Sequence, residues 1–258
     1  MKKFIVIANW KMYKTIDEAC ATYLEITKKV RPYSLLDKID IVIASPSPYI
    51  YSLYNKSLEE NNGILLAAQN CSVESFGAYT GDVSAPMLKS IGAEYVIVGH
   101  SESRKYFNET DSDINKKITM AIKYNIKPIL CVGEPIEVRN LGRHIDFVVN
   151  QLNMALENLS DIQRKGLIIA YEPLWAIGTN NSASSADAEN MHVAIRLWMA
   201  SKYGNELASS LRIVYGGSVS PDNIASLSKE PNIDGVLVGG ASLDPDKFFQ
   251  IIELYSKR

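Results

Sequence analysis

One carboxylate stands at an unusual place in the sequence. Glu172 ends the apolar run 167–171 (LIIAY), and Pro173, Trp175 and a Gly-Thr pair follow it. A buried strand that only has to stop needs no more than a glycine or a proline. A glutamate at this point is therefore solvated, paired with a cation, or used as an acid or base.

Polar or glycine-rich segments also follow other short apolar runs, seven of the eight in all. The eight runs, rich in Ile, Val and Leu, are 4–8, 39–44, 64–68, 94–98, 127–132, 166–171, 211–215 and 234–239. The groups that follow are Asn9 and Lys11, the polar run 69–81, His100 and Glu102, Cys131 and Glu134, Glu172, and the Gly-Gly turns at 216–217 and 239–240. Because the runs do not alternate apolar and polar residues, both of their faces are expected to be buried, as in a parallel sheet.

Amphipathic helical segments separate these runs. The clear cases are 16–30, 112–125, 137–157, 185–203 and 245–256, the last with Asp244 as its N-cap. Eight strand–helix units predict a single (β/α)8 barrel domain over residues 1–258, whose chemistry would lie at the carboxyl ends of the strands. A doubly wound open sheet is the competing fold, but the first turn has no glycine and no nucleotide-binding glycine motif occurs.

The turns after the last two runs are suited to an anion. Both contain Gly-Gly and lead into helices, so backbone N–H groups would point outward with no side chain in the way. Barrels commonly hold phosphate at these two loops. Tight turns without a ligand remain the alternative explanation.

The composition excludes several classes of partner. A net charge of -2 gives no electrostatic case for nucleic acid or an anionic membrane. The three cysteines, Cys20, Cys71 and Cys131, form no Cys-x-x-Cys motif, which argues against a disulfide framework or a zinc site. They fit a reducing compartment, and we expect a cytoplasmic protein. The apolar run near the N-terminus is too short for a secretion signal and is interpreted as the first strand.

The chain resembles the triosephosphate isomerase family nearly end to end. The blocks NWKM (9–12), GHSE (99–102), CVGE (131–134), AYEPLWAIGT (170–179), YGGSV (215–219) and GVLVGGASL (235–243) follow the order of that family. The resemblance implies a TIM barrel that interconverts dihydroxyacetone phosphate and glyceraldehyde 3-phosphate in glycolysis and gluconeogenesis. It also implies no metal or organic cofactor and a homodimer.

The resemblance assigns a role to each site residue. Glu172 is the expected base and His100 the expected electrophile, held neutral by a following helix N-terminus. Lys11 and Asn9 are expected to contact the substrate, with Glu102 orienting Lys11 and Cys131 and Glu134 in support. The phosphate is expected on backbone N–H groups of Gly178, Ser218, Gly239 and Gly240, under a lid at 173–179 that carries Trp175 and Ile177. His144 and His192 lie inside helical segments and are expected to be structural.

Two departures from the family pattern stand out. The lid block continues with Asn180 and Asn181 where the family has Gly-Lys; Asn is the non-glycine residue best suited to φ > 0, so a working lid is expected. Ser103 and Asp82 replace an arginine and a glutamate that pair across the dimer interface of the family. We expect that contact to be weaker or rebuilt, with loop 76–81 still docking on the partner and Thr80 supporting the partner's site.

Two other functions remain open on the residues alone. A Schiff-base aldolase would need a strand-end lysine of lowered pKa, and Lys11 is the candidate. A non-catalytic phosphate-binding barrel would keep the Gly-Gly turns but has no use for Glu172, His100 and a lid together.

Overall fold

Eight parallel strands form a closed barrel in chain order. The computed structural model describes residues 2–33, 35–176 and 183–257. The strands are β1 (Phe4–Asn9), β2 (Ile39–Ala44), β3 (Leu65–Ala68), β4 (Tyr95–Val98), β5 (Lys127–Val132), β6 (Ile168–Tyr171), β7 (Arg212–Tyr215) and β8 (Gly235–Val238). Each strand pairs in parallel with the next, and β8 pairs with β1. The predicted (β/α)8 barrel is confirmed.

Helices connect the strands on the outside of the barrel. Within the described ranges they are α1 (Ile16–Val30), α2 (Ser47–Glu60), α3 (Ala85–Ser90), α4 (Ser101–Phe107), α5 (Asp111–Lys123), α6 (Ile136–Asn140), α7 (His144–Ala155), α8 (Asp161–Arg164), α9 (Ser185–Tyr203), α10 (Asn205–Ser210), α11 (Ile224–Leu227) and α12 (Pro245–Ser256). Short 3-10 helices span Arg31–Tyr33, Leu35–Asp37, Leu174–Ala176 and Gly240–Leu243. In the part of the chain that the structure covers, no helix has the length and apolarity needed to cross a membrane.

One predicted helix is wrong. The segment 137–157 was expected to be continuous, but it is divided into α6 and α7. Gly142, between them, has a left-handed backbone with φ +69. That conformation ends a helix and costs little only for glycine, which explains the break.

Side-chain caps fix where several helices begin. Capping boxes open α1, α5 and α9, where Thr15, Thr110 and Ser184 exchange hydrogen bonds with the residue three positions on. Asp244 accepts from the N–H groups of Asp246 and Lys247 at the start of α12, as predicted. The caps therefore set the boundaries of helices that the apolar pattern alone leaves open.

The barrel has two apolar layers, which explains why its strands do not alternate apolar and polar residues. Ile5 and Ile7 of β1 belong to the cluster inside the barrel, whereas Val6 and Ala8 belong to the cluster between the strands and the helices. At Gly235 a Cβ would lie 2.0 Å from the carbonyl oxygen of Ile5, so β8 can pair with β1 there only through glycine. This packing brings the carboxyl ends of all eight strands to one rim.

Candidate active site

A cavity of about 960 Å³ opens among the carboxyl ends of the strands. Its wall includes residues that follow β1, β4, β5, β6, β7 and β8. Among them are Asn9, Lys11, His100, Glu102, Glu172, Ser218, Gly239 and Gly240. The structure thus brings together most of the sequence-predicted site residues that it describes; the exceptions, which do not line the cavity, are Thr80, Cys131, Glu134 and Trp175.

Glu172 lies at the centre of the polar groups around the cavity. Its side chain is buried, and Oε1 lies 3.0 Å from Nε2 of His100. Oε2 accepts a hydrogen bond of 3.0 Å from the N–H of Ser101. Burial raises the pKa of Glu172, but the charge of His100 and the hydrogen bonds from His100 and Ser101 outweigh burial and hold the pKa below its ordinary value. Glu172 is therefore an ionised carboxylate at the cavity wall.

The backbone around Glu172 explains its position. Its N–H donates to the carbonyl of Val132 at 2.7 Å, which extends the β5–β6 contact one residue beyond the end of β6. At Gly133 a Cβ would lie 1.8 Å from the carbonyl oxygen of Glu172, so this approach requires glycine. The sequence reasoning did not assign Gly133 a role, although the CVGE block contains it.

His100 is the N-cap of α4. Its Nδ1 accepts a hydrogen bond of 3.2 Å from the N–H of Glu102, so in the neutral ring the proton is on Nε2, which faces Glu172. Burial lowers the pKa of His100, but the charge of Glu172 and the hydrogen bond to it outweigh burial and raise the pKa above its ordinary value. The sequence predicted a neutral ring from the helix N-terminus alone. The structure differs because the ring also contacts the carboxylate of Glu172, which favours the charged ring.

Lys11 projects into the cavity from the loop after β1. Its Nζ lies 2.7 Å from Oε1 of Glu102, and its N–H donates to Oδ1 of Asn9 at 3.1 Å. Its backbone is left-handed, with φ +52, and Nε2 of Gln69 donates to its carbonyl at 2.9 Å. These contacts fix a strained turn that directs the ammonium group into the cavity.

The two Gly-Gly turns form another part of the cavity wall. Gly240 is the first residue of the 3-10 helix Gly240–Leu243, where the first N–H groups have no intrahelical acceptor. A Cβ on Gly239 would lie 3.5 Å from Cε of Lys11, so this turn approaches the lysine side chain closely. Ser218 follows the Gly216–Gly217 turn. Gly178, the fourth predicted phosphate contact, lies outside the described residues, as do Ile177, Asn180 and Asn181.

Three predicted supporting residues have different surroundings. Cys131 is fully buried in the interior of the barrel, where burial and then the charge of Glu172 raise the pKa of its thiol. Glu134 is also buried, and its Oε1 accepts from the hydroxyl of Tyr171 at 3.0 Å and from Nε1 of Trp175 at 2.9 Å. Thr80 is exposed on loop 76–81 and does not line the cavity of its own chain.

Comparison with known proteins agrees with this geometry. A family model described as Triosephosphate isomerase matches residues 4–255. The triosephosphate isomerase of Alkaliphilus metalliredigens is 42% identical over 252 residues, which cover 98% of this chain and 99% of that protein. That of Chloroflexus aurantiacus is 44% identical over 248 residues, which cover 96% of this chain and 97% of that protein. With a match of this extent and a barrel whose strand ends carry the family's motif residues around one cavity, the chain belongs to the triosephosphate isomerase family.

Proposed function

We propose that this chain is a triose-phosphate isomerase, an aldose–ketose isomerase that interconverts dihydroxyacetone phosphate and D-glyceraldehyde 3-phosphate. The observation that carries the proposal is the 3.0 Å contact between the Glu172 carboxylate and the His100 ring at the wall of one cavity. The reaction moves a proton between two carbons, one of which bears a carbonyl oxygen. It needs a base at the carbons and a hydrogen-bond donor at the oxygens, and these two groups supply both.

Glu172 is the proposed base. Its pKa lies below the ordinary value, so the carboxylate is ready to accept a proton near neutral pH. Its donors include the His100 ring and the Ser101 N–H, and a substrate between carboxylate and ring takes the place of the first. The carboxylate then removes a proton from one carbon to leave an enediolate, and the carboxylic acid so formed gives a proton to the neighbouring carbon.

His100 is the proposed proton donor to the substrate oxygens. The Glu102 N–H at Nδ1 keeps the proton of the neutral ring on Nε2. Once the substrate separates the ring from Glu172, the contact that favours the charged imidazolium is lost, and burial favours the neutral form. A carboxylate base with a neutral imidazole donor is the established arrangement for this family.

Lys11 and the glycine turns are proposed to bind the charged parts of the substrate. The ammonium group of Lys11 would stabilise the phosphate group and the oxyanion of the enediolate, with Asn9 donating to the same oxygen. Backbone N–H groups of Ser218, Gly239 and Gly240 would hold the phosphate. The paired carboxylate of Glu102 keeps Lys11 extended along the wall.

Segment 173–179 is proposed to close over the substrate and exclude water, as lid loops of this family do. Support comes from its first residues, where the indole N–H of Trp175 is held by the buried carboxylate of Glu134. A closed site protects the enediolate from solvent.

A coupled assay with dihydroxyacetone phosphate tests the proposal directly. The parent chain should convert it to glyceraldehyde 3-phosphate. Glu172→Asp should lower kcat on the order of 10²-fold, because it draws the carboxylate back by about 1 Å. A parent without isomerase activity, or a Glu172→Asp variant as fast as the parent, contradicts the proposal.

The Schiff-base aldolase is not favoured. The Glu102 carboxylate lies 2.7 Å from Nζ of Lys11 and holds it in an ion pair, whereas a Schiff base requires a free amine. Borohydride with the triose phosphate should therefore leave Lys11 unmodified. A reduced adduct on Lys11 would support the aldolase instead.

We further propose a cytoplasmic homodimer in which the whole chain acts as one domain. Met12, Phe76 and Tyr79 are 94%, 69% and 50% exposed. The loop after β1, which carries Met12, contacts the segment after β3, which carries Phe76 and Tyr79, through the hydrogen bond from Gln69 to the carbonyl of Lys11. Their exposed apolar side chains are therefore available to contact a second copy of the chain. Three unpaired thiols support a reducing compartment.

The proposed interface differs from the family pattern at Asp82. Its Oδ2 accepts from the hydroxyl of Ser72 at 2.7 Å, so this carboxylate is used within its own loop. With Ser103 in place of the family's arginine, the apolar contacts of loop 76–81 would carry the dimer, with Thr80 reaching the partner's site. Sedimentation should show a dimer at micromolar concentration, and a monomer would refute it.

A further inference from the structure

Lys14 has a backbone conformation that a lysine seldom adopts. Its φ is +71, in the left-handed region that favours glycine. A non-glycine residue keeps such a conformation only where the surrounding contacts determine it. Lys14 does not line the cavity at the strand ends, and the proposed mechanism gives it no role.

Contacts from several elements hold Lys14 in place. Its Nζ donates to the carbonyl of Leu243 at 3.0 Å and to Oγ1 of Thr22 at 2.9 Å, and it lies 5.6 Å from the centre of the Trp10 ring. The hydroxyl of Tyr49 donates to its carbonyl at 2.9 Å. One side chain therefore ties the loop after β1 to α1 and to the segment after β8.

The two segments that Lys14 joins both carry cavity residues. Lys11 lies three residues before Lys14, and Gly240 begins the short helix that ends at Leu243. A second hydrogen bond joins the same segments, from Nε1 of Trp10 to the carbonyl of Ser242 at 3.1 Å. A shift of this helix against the loop would change the distance between the Lys11 ammonium and the N–H of Gly240.

We propose that Lys14 is a positioning residue that holds the Lys11 loop against the Gly239–Gly240 turn and thereby sets the spacing of the groups that bind phosphate. This inference rests on the proposed function, which places the phosphate between those groups. Lys14 acts through Lys11 and Gly240 and does not touch the substrate.

The test compares Lys14→Met with Lys14→Arg. The methionine variant loses the bonds to Leu243 and Thr22, and we expect a rise of about threefold to tenfold in the Kd of inorganic phosphate, measured by NMR titration. The KM for glyceraldehyde 3-phosphate should rise by a similar factor, with kcat within about twofold of the parent. The arginine variant keeps the charge and the donors and should recover most of the phosphate affinity.

Two further variants separate positioning from general stability. Lys14→Gly removes the side chain and the strain together, so it should lose phosphate affinity like Lys14→Met yet melt no lower than that variant. Lys2→Met is the matched control, because Lys2 is also half-buried and donates to a backbone carbonyl, that of Leu211 at 2.9 Å, at the opposite end of β1. It should keep the parent's phosphate affinity at temperatures where it is folded.

The outcomes are distinguishable from failure of the proposed function. A parent chain that binds phosphate but lacks isomerase activity would contradict the proposed function. The phosphate titrations of the variants would still test the positioning role. An unchanged phosphate Kd in Lys14→Met and Lys14→Gly, or an equal loss in Lys2→Met, would overturn the positioning role.

Discussion

The two ends of the barrel both bury charges, but they use them differently. At the amino ends of the strands, Asp234 contacts Nζ of Lys2 at 2.9 Å and the guanidinium of Arg196 at 2.6 Å, and accepts from the N–H of Ile213 at 2.9 Å. At the carboxyl ends, Glu172 has the His100 ring and one N–H as donors, and it faces the cavity. The first carboxylate is enclosed by its partners, whereas the second has room for a reactant.

A buried charge does not by itself indicate catalysis. Structural ion pairs and active sites both perturb pKa values, so perturbation alone does not separate them. Open volume beside the charge and a partner that a substrate can replace do separate them. On this basis the carboxyl end is the reactive one and the amino end is structural, which yields opposite expectations for matched substitutions.

The largest effect is expected at Glu172. Glu172→Gln keeps the size of the side chain but removes the base, so kcat should fall about 10³-fold in the coupled assay. The free energy of unfolding should change by less than about 2 kcal/mol, because His100 can become neutral when its partner loses its charge. A variant that keeps about a tenth or more of the parent's kcat would show that Glu172 is not the base.

The reverse pattern is expected at Asp234. Asp234→Asn leaves Lys2 and Arg196 without their counter-ion and should lower the free energy of unfolding by about 3 kcal/mol in urea denaturation. The kcat of the folded variant should stay within about twofold of the parent, since the carboxylate lies at the other end of the strands. Loss of activity without loss of stability would mean that the amino end takes part in catalysis.

His192 is buried away from the cavity and should make stability depend on pH. Its Nδ1 lies 3.1 Å from the carbonyl of Asn232, and burial lowers its pKa to about 4. An unfolded histidine binds a proton below about pH 6.5, so the folded protein should lose about 2 kcal/mol of stability through this group between about pH 7 and pH 5. The stability is present at higher pH and is lost on acidification.

The measurement for His192 is urea denaturation across that pH range. His192→Gln retains an N–H donor for Asn232 but does not titrate, so its stability should fall less steeply with acid than that of the parent. Parallel curves for the parent and the variant would show that His192 does not carry this pH dependence.

The smallest effect is expected at Asn180, which lies outside the described residues. Because asparagine tolerates a left-handed backbone, kcat of Asn180→Gly should lie within about tenfold of the parent. A parent without activity that glycine restores would show that the lid requires glycine here.

Much of the fold could be predicted from the sequence. Apolar runs located all eight strands to within two residues, because a parallel barrel buries both faces of each strand. The helices α1, α9 and α12 have the predicted bounds, since caps and helical periodicity agree there. The break between α6 and α7 was missed because the signal is a single glycine, Gly142.

The site was predictable in its residues but not in its geometry. Strand-end position identified Glu172 and His100, but the sequence holds no signal for their 3.0 Å contact, which reverses the expected direction of the His100 pKa shift. The left-handed turns at Lys11 and Lys14 were also missed, because glycine, the usual marker of that conformation, is absent from both. Tertiary contacts, not local propensity, determine these positions.

Glu172 is proposed to move a carbon-bound proton in the cavity. Proton NMR of dihydroxyacetone phosphate in D₂O tests it most directly, because a carboxylate base exchanges its proton with solvent during the reaction. We predict that the parent forms glyceraldehyde 3-phosphate with deuterium at C2 and that Glu172→Gln slows this incorporation about 10³-fold. Incorporation of deuterium by Glu172→Gln at the rate of the parent would contradict this role of Glu172.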